Sequence, residues 1–144
     1  MANGRILVTQ EVRGVAELAG AALQAKPDAP EFVTCEDGGL FLTQFTRLIR
    51  AGQPPRLCVL DLRAPGLGAA VAAYGARAVE RGLGLAPTPI LFYTAEPAGD
   101  ELRQLLSRIG RAVHLQRGVE LPEEEQARRL SIAVEKLLAQ LGAK

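Results

Sequence analysis

Five short apolar, β-rich runs recur along the chain, each followed by a stretch with helical spacing, and this alternation restricts the fold more than any other feature. The runs are 6–9 (ILVT), 32–35 (FVTC), 57–60 (LCVL), 90–93 (ILFY) and 113–115 (VHL). Between them, Val12, Val15, Ala16, Ala19, Ala22 and Leu23 repeat as one face of a helix, as do Leu42, Phe45, Leu48 and Ile49. Residues 68–81 are alanine-rich and helical in character, with Gly75 as a weak point costing about 1 kcal/mol relative to Ala. Leu102, Leu105, Leu106 and Ile109 mark a fourth helix, ended by Gly110. Leu130, Val134, Leu137, Leu138 and Leu141 mark a fifth, opened by Pro122 and by three glutamates that suit its positive end.

Loops fall where Pro and Gly cluster: 26–30, 52–55 and 63–66, with Gly38 and Gly39 read as a turn. Strands that read as continuous apolar runs are buried on both faces. Alternating strands and helices make a parallel sheet with right-handed crossovers. Five β/α units suggest strand order 2-1-3-4-5, an α/β doubly wound sheet with its crevice at the carboxyl ends of the strands. One domain spanning 1–144, with a core of about 4–141, accommodates all five.

Composition narrows the function classes. Seventeen basic and sixteen acidic residues leave a net charge of +1, and the basic residues are scattered, which argues against nucleic-acid binding. No run approaches the roughly 20 apolar residues that span a bilayer, and the first five residues are too polar for a signal peptide. A cytoplasmic setting without membrane insertion is expected. Cys35 and Cys58 are read as buried free thiols. No G-x-G-x-x-G follows a strand and no Ser-His-Asp set is visible, so an enzyme is not expected.

The crevice rule brings specific residues together. Thr9, Gln10 and Glu11 follow the first strand, Asp61 the third, Thr94 the fourth, and Gln116 and Arg117 the fifth. Glu11, Asp61, Thr94 and Arg117 should therefore converge: two carboxylates, a hydroxyl and a guanidinium, a set suited to a hard cation and a phosphoryl group.

In this order the segments resemble the receiver domain of bacterial response regulators, of the chemotaxis-regulator kind, a flavodoxin-like (βα)5 fold. The segment ILVTQE (6–11) looks like the family's first strand and acidic pair, and Asp37-Gly38 like the acidic-Gly pair after the second. LCVLDLRAPGL (57–67) resembles the third strand, phosphoacceptor and Met-Pro-Gly loop. PILFYTA (89–95) is similar to the fourth strand with its Thr/Ser-Ala. HLQRGVEL (114–121) sits where the family has aromatic-x-x-Lys-Pro.

The resemblance implies a two-component, phosphorelay role. Asp61 would accept the phosphoryl group. Glu11 and Asp61 would ligate Mg2+, with the backbone carbonyl of Arg63 and a weak or water-mediated contribution from Gln10. Thr94 would receive a phosphoryl oxygen, its movement coupled to a switch residue at His114, with Arg117 as the cation of the pocket. Partners would be a sensor histidine kinase or phosphotransfer protein and a downstream protein met by the helix 4–strand 5–helix 5 face; a homodimer is compatible.

Several residues depart from the pattern. Gln10 removes one charge from the metal site, which should weaken Mg2+ binding. Arg117 replaces lysine and is able to pair bidentately with Asp61 or Glu11. Gly118 replaces a proline; a cis bond before glycine costs about 2.5–4 kcal/mol, so a trans bond is expected. These changes keep two alternatives open: a phosphorylation-independent pseudo-receiver that binds proteins, and, more remotely, a flavodoxin-like small-molecule binder. Plainer readings also exist for single residues, with Asp61 capping a loop, Glu11 a first-turn acid, Thr94 a strand-end hydroxyl and His114 a packed surface histidine.

Overall fold

A computed structural model describes residues 4–9, 13–26, 29–61, 68–94, 99–116, 118, 120–142. Gln10, Glu11, Val12, Arg63 and Arg117 lie outside the described residues, as does the peptide bond between 117 and 118.

The five apolar runs form strands β1 (Arg5–Thr9), β2 (Glu31–Cys35), β3 (Leu57–Leu60), β4 (Ile90–Thr94) and β5 (Ala112–Gln116). Helices α1 (Arg13–Gln24), α2 (Gly38–Arg50), α3 (Ala69–Gly82), α4 (Asp100–Ile109) and α5 (Glu123–Gly142) alternate with them. All strand pairings are parallel, in the order β2-β1-β3-β4-β5. Every residue of β3 and β4 is buried, whereas the edge strands β2 and β5 each expose residues. The apolar runs are therefore uninterrupted where helices cover both faces of the sheet.

Strand alternation splits the core in two. Leu7, Cys58, Leu60, Ile90 and Phe92 face one side, where Phe41, Phe45, Ala72, Ala76 and Leu102 from α2, α3 and α4 pack on them. Ile6, Val8, Val59, Leu91 and Tyr93 face the other, covered by Val15 and Ala19 of α1 and Leu130 and Val134 of α5. Both cysteines are free and buried.

Three expectations need correction. Gly38 and Gly39 do not form a separate turn; they are the first two residues of α2, because Asp37 caps that helix by accepting a hydrogen bond from the Leu40 N–H at 2.8 Å. Ala22 is exposed, since the buried stripe of α1 runs through Val15, Ala19 and Leu23. Gly75 is less a weak point than a contact: a Cβ there would stand 2.9 Å from Leu42 Cδ2, so the missing side chain lets α3 close on α2.

Candidate functional site

The carboxyl ends of β1, β3 and β4 meet at one sheet edge, because β1 and β4 flank β3. Asp61, one residue past β3, is 1% exposed. Its backbone N–H donates to the Thr9 hydroxyl at 3.0 Å, and Thr9 is itself fully buried. This bond ties the last residue of β1 to the first residue beyond β3, where the strand ladder no longer holds the chain. Buried N–H groups are almost always satisfied, and here a side chain of the neighbouring strand does it. Residues 10 and 11 follow Thr9 directly in the chain. Sequence reasoning placed Thr9 at this edge without giving it a task; a hydroxyl residue ending the strand next to the aspartate strand is the signal that was there to read.

Thr94 ends β4 and is 3% exposed. Its Oγ1 lies 2.9 Å from Nε2 of His114. The parallel register sets Phe92 opposite His114 and Thr94 opposite Gln116, so Thr94 and His114 project from the same face of the sheet, the one covered by α2, α3 and α4. Thr94 and His114 are thus joined by a direct hydrogen bond. Beside Thr94 a cleft of about 640 Å³ opens between α3 and α4, lined also by Ala70, Tyr74, Glu101, Leu105 and Arg108.

Gly118 is buried, with Leu121 Cδ1 at 2.7 Å and Arg129 Nη1 at 2.5 Å from where a Cβ would stand. A larger residue at 118 would have to displace both side chains, of which the Arg129 guanidinium is the end of a flexible chain. Among the described residues, no group of three or more His, Cys, Asp or Glu could hold a metal ion.

At the opposite edge of the sheet, where the chain enters β4 and β5, lies a polar cluster that sequence reasoning missed. Arg77 of α3 is buried, and its Nη1 donates to Glu80 Oε1 at 2.9 Å. Its Nε and Nη2 donate to the carbonyls of Ile109 and Gly110 at 2.9 and 2.7 Å. Glu80 Oε2 accepts from the Thr88 N–H. Gly110 and Arg111 both take positive φ, +70° and +48°, so Arg77 holds a left-handed turn that includes a non-glycine residue. The readable signal was an arginine and a glutamate three apart in an alanine-rich helix. The Cys58 thiol on β3 is pushed up in pKa by burial first and by the Glu80 charge second. Burial, then the charge of Asp37, raises the Cys35 thiol to about 11.

Neither a family model nor a curated protein matches the sequence. Solved structures do. The receiver domain of the histidine kinase CKI1 from Arabidopsis thaliana, complexed with Mg2+ and BeF3−, superposes with a TM-score of 0.71 at 19% identity, over 96% of this chain and 91% of that one. The fold is that of a receiver domain. The phosphorylated cyanobacterial phytochrome response regulator RcpA gives a TM-score of 0.74 at 15% identity, over 96% of both chains. The Vibrio cholerae chemotaxis protein CheY4 gives 0.62 at 19% identity, over 88% of this chain and 95% of that one. The five strands and five helices of this receiver fold occur in the order read from the sequence. No described helix is long and apolar enough to cross a membrane.

Proposed function

We propose that the chain is a two-component receiver module that accepts a phosphoryl group on Asp61. The observation that carries this reading is the placement of Asp61. It is a buried carboxylate residue just past the central strand, with its backbone anchored by Thr9 and the Thr94 hydroxyl ending the adjacent strand. In the transfer, a carboxylate oxygen of Asp61 forms a bond to phosphorus as the donor's bond to phosphorus breaks, the donor leaving with that electron pair. Catalysis of such a transfer is mostly positioning and charge neutralisation. A threonine hydroxyl donating to an equatorial phosphoryl oxygen and an arginine such as Arg117 suit that task.

The candidate metal donors, Asp61, Glu11, the Gln10 amide and the Arg63 carbonyl, are all oxygens, which suits Mg2+. Bound there, Mg2+ would neutralise charge on the phosphoryl oxygens. With one carboxylate fewer than the family pattern, affinity should be low. The donor would be a sensor histidine kinase or a phosphotransfer protein, and output would pass through the face of α4, β5 and α5.

A specific observation also favours the pseudo-receiver reading: the Thr94 hydroxyl is engaged by His114. Intact mass after incubation with a small phosphodonor and Mg2+, beside Asp61→Asn, separates the two. One added phosphoryl group, absent from the variant, is the expected result. No added mass, together with no beryllofluoride binding by folded protein, would leave protein binding without phosphoryl chemistry.

A further inference from the structure

A threonine hydroxyl has one proton to donate and lone pairs that accept. A histidine Nε2 donates when it carries a proton and accepts when it does not. The 2.9 Å contact between Thr94 Oγ1 and His114 Nε2 therefore exists in two senses. With Nε2 bare, the Thr94 proton is committed to the ring. With Nε2 protonated, the ring donates to Oγ1, and the hydroxyl proton turns away from the ring.

We propose that His114 is a positioning residue that decides, through this hydrogen bond, whether Thr94 offers a donor or an acceptor to an anion held at Asp61. The inference rests on the phosphoryl reading above and deepens it. Phosphoryl oxygens and the fluorides of beryllofluoride only accept hydrogen bonds, so either group selects the Nε2–H form of His114. The selection is reciprocal: whatever places the proton on Nε2, as the neutral tautomer or as imidazolium, favours the bound anion by the factor with which the anion favours the Nε2–H form.

The placement suits this task. Thr94 is 3% exposed and fixed at the end of a fully buried strand, while His114 on the edge strand is half-buried and can exchange protons with water. Among the described residues, α4 is the helix in contact with β5 on this face, and its charged groups are Asp100, Glu101, Arg103 and Arg108, Arg103 being paired with Asp100. On β4 the ionisable Tyr93 belongs to the opposite face. Asp61 lies past β3 at the same sheet edge as Thr94.

The chain has a single histidine, so its ring nitrogens can be followed by NMR without overlap. The ring is titrated with and without Mg2+ and beryllofluoride, and fluorine resonances report whether the anion is bound. On binding, Nε2 is expected to move into the N–H shift range at neutral pH. Beryllofluoride affinity should fall roughly three- to tenfold in Thr94→Val, the size of one ordinary hydrogen bond. Thr94→Ser should keep the Nε2 response and Thr94→Val should lose it. A bound fluoride resonance with Nε2 unmoved, or an identical Nε2 response in Thr94→Val, overturns the inference alone. Absence of any bound fluoride resonance in the wild type overturns the phosphoryl reading and the inference with it.

Discussion

Arg77→Met removes the guanidinium that joins α3 to the turn between α4 and β5 while keeping much of its volume. Three hydrogen bonds disappear, to Glu80, Ile109 and Gly110. The side chains of Arg77 and Glu80 are 5% and 2% exposed, so solvent does little to replace what is lost. Breaking a buried pair by removing one partner costs about 3–5 kcal/mol, mainly because the other charge stays buried and uncompensated. The two carbonyls add to this, and the left-handed turn at Gly110 and Arg111 loses its brace. For a domain of this size, such a loss lowers Tm by roughly 10–20 °C, measured by calorimetry or by circular dichroism in a denaturant series. The sharper check is the cycle with Glu80→Leu. Because Arg77→Met strands Glu80 and Glu80→Leu strands Arg77, the double variant should be clearly more stable than the sum of the singles. Additive losses, or an Arg77→Met cost below about 1 kcal/mol, would refute the idea that the pair is a buried, mutually compensating unit.

Asp37→Ala removes the cap of α2 and should cost about 1 kcal/mol by urea denaturation, with no change in the number of transitions. Gly75→Ala should be close to neutral, since a helix gain of about 1 kcal/mol meets crowding against Leu42; in a Leu42→Ala background the same change should become stabilising. For Cys35 the sign is set by a folded pKa of about 11 against an ordinary value of 9.0: the native state keeps its proton where the unfolded chain loses it. Stability from this group should therefore be complete below about pH 9 and fall as pH rises toward 11, a decline that Cys35→Ala should flatten in a pH series of denaturation midpoints.

The central strands and the helices were legible from the burial pattern, and the strand order from the alternation of five β/α units. Residues 57–60 and 90–93 are apolar at every position, which only a central parallel strand requires, and the alternation then dictates the crossovers. Asp61 and Thr94 were legible for the same reason, since the end of a buried strand is where a polar residue first meets the crevice. Details decided by pairs of residues far apart in sequence were not. Nothing in 38–39 says whether two glycines end a turn or begin a helix until Asp37 is seen bonding to Leu40. Gly75 reads as a helix defect unless Leu42 is known to lie against it. Arg77 looks like a solvated charge until the carbonyls of residues 109 and 110, more than thirty positions away, are brought to it.

The two polar linkages bear on opposite ends of α4. At its carboxyl end the carbonyls of Ile109 and Gly110 are held by Arg77, whose own partner Glu80 fixes the chain at Thr88 just before β4. At its amino end, Gly99, Asp100 and Glu101 border the cleft that Thr94 lines, and Thr94 is bonded to His114 on β5. Held at its last carbonyls by a buried charge pair, α4 should move less at Ile109 than at Asp100 when Thr94 changes its bonding. Motion that begins with the Thr94 hydroxyl should therefore appear in the first turns of α4 and along β5, and fade toward Ile109. That is the stretch through which the proposed output face would be read.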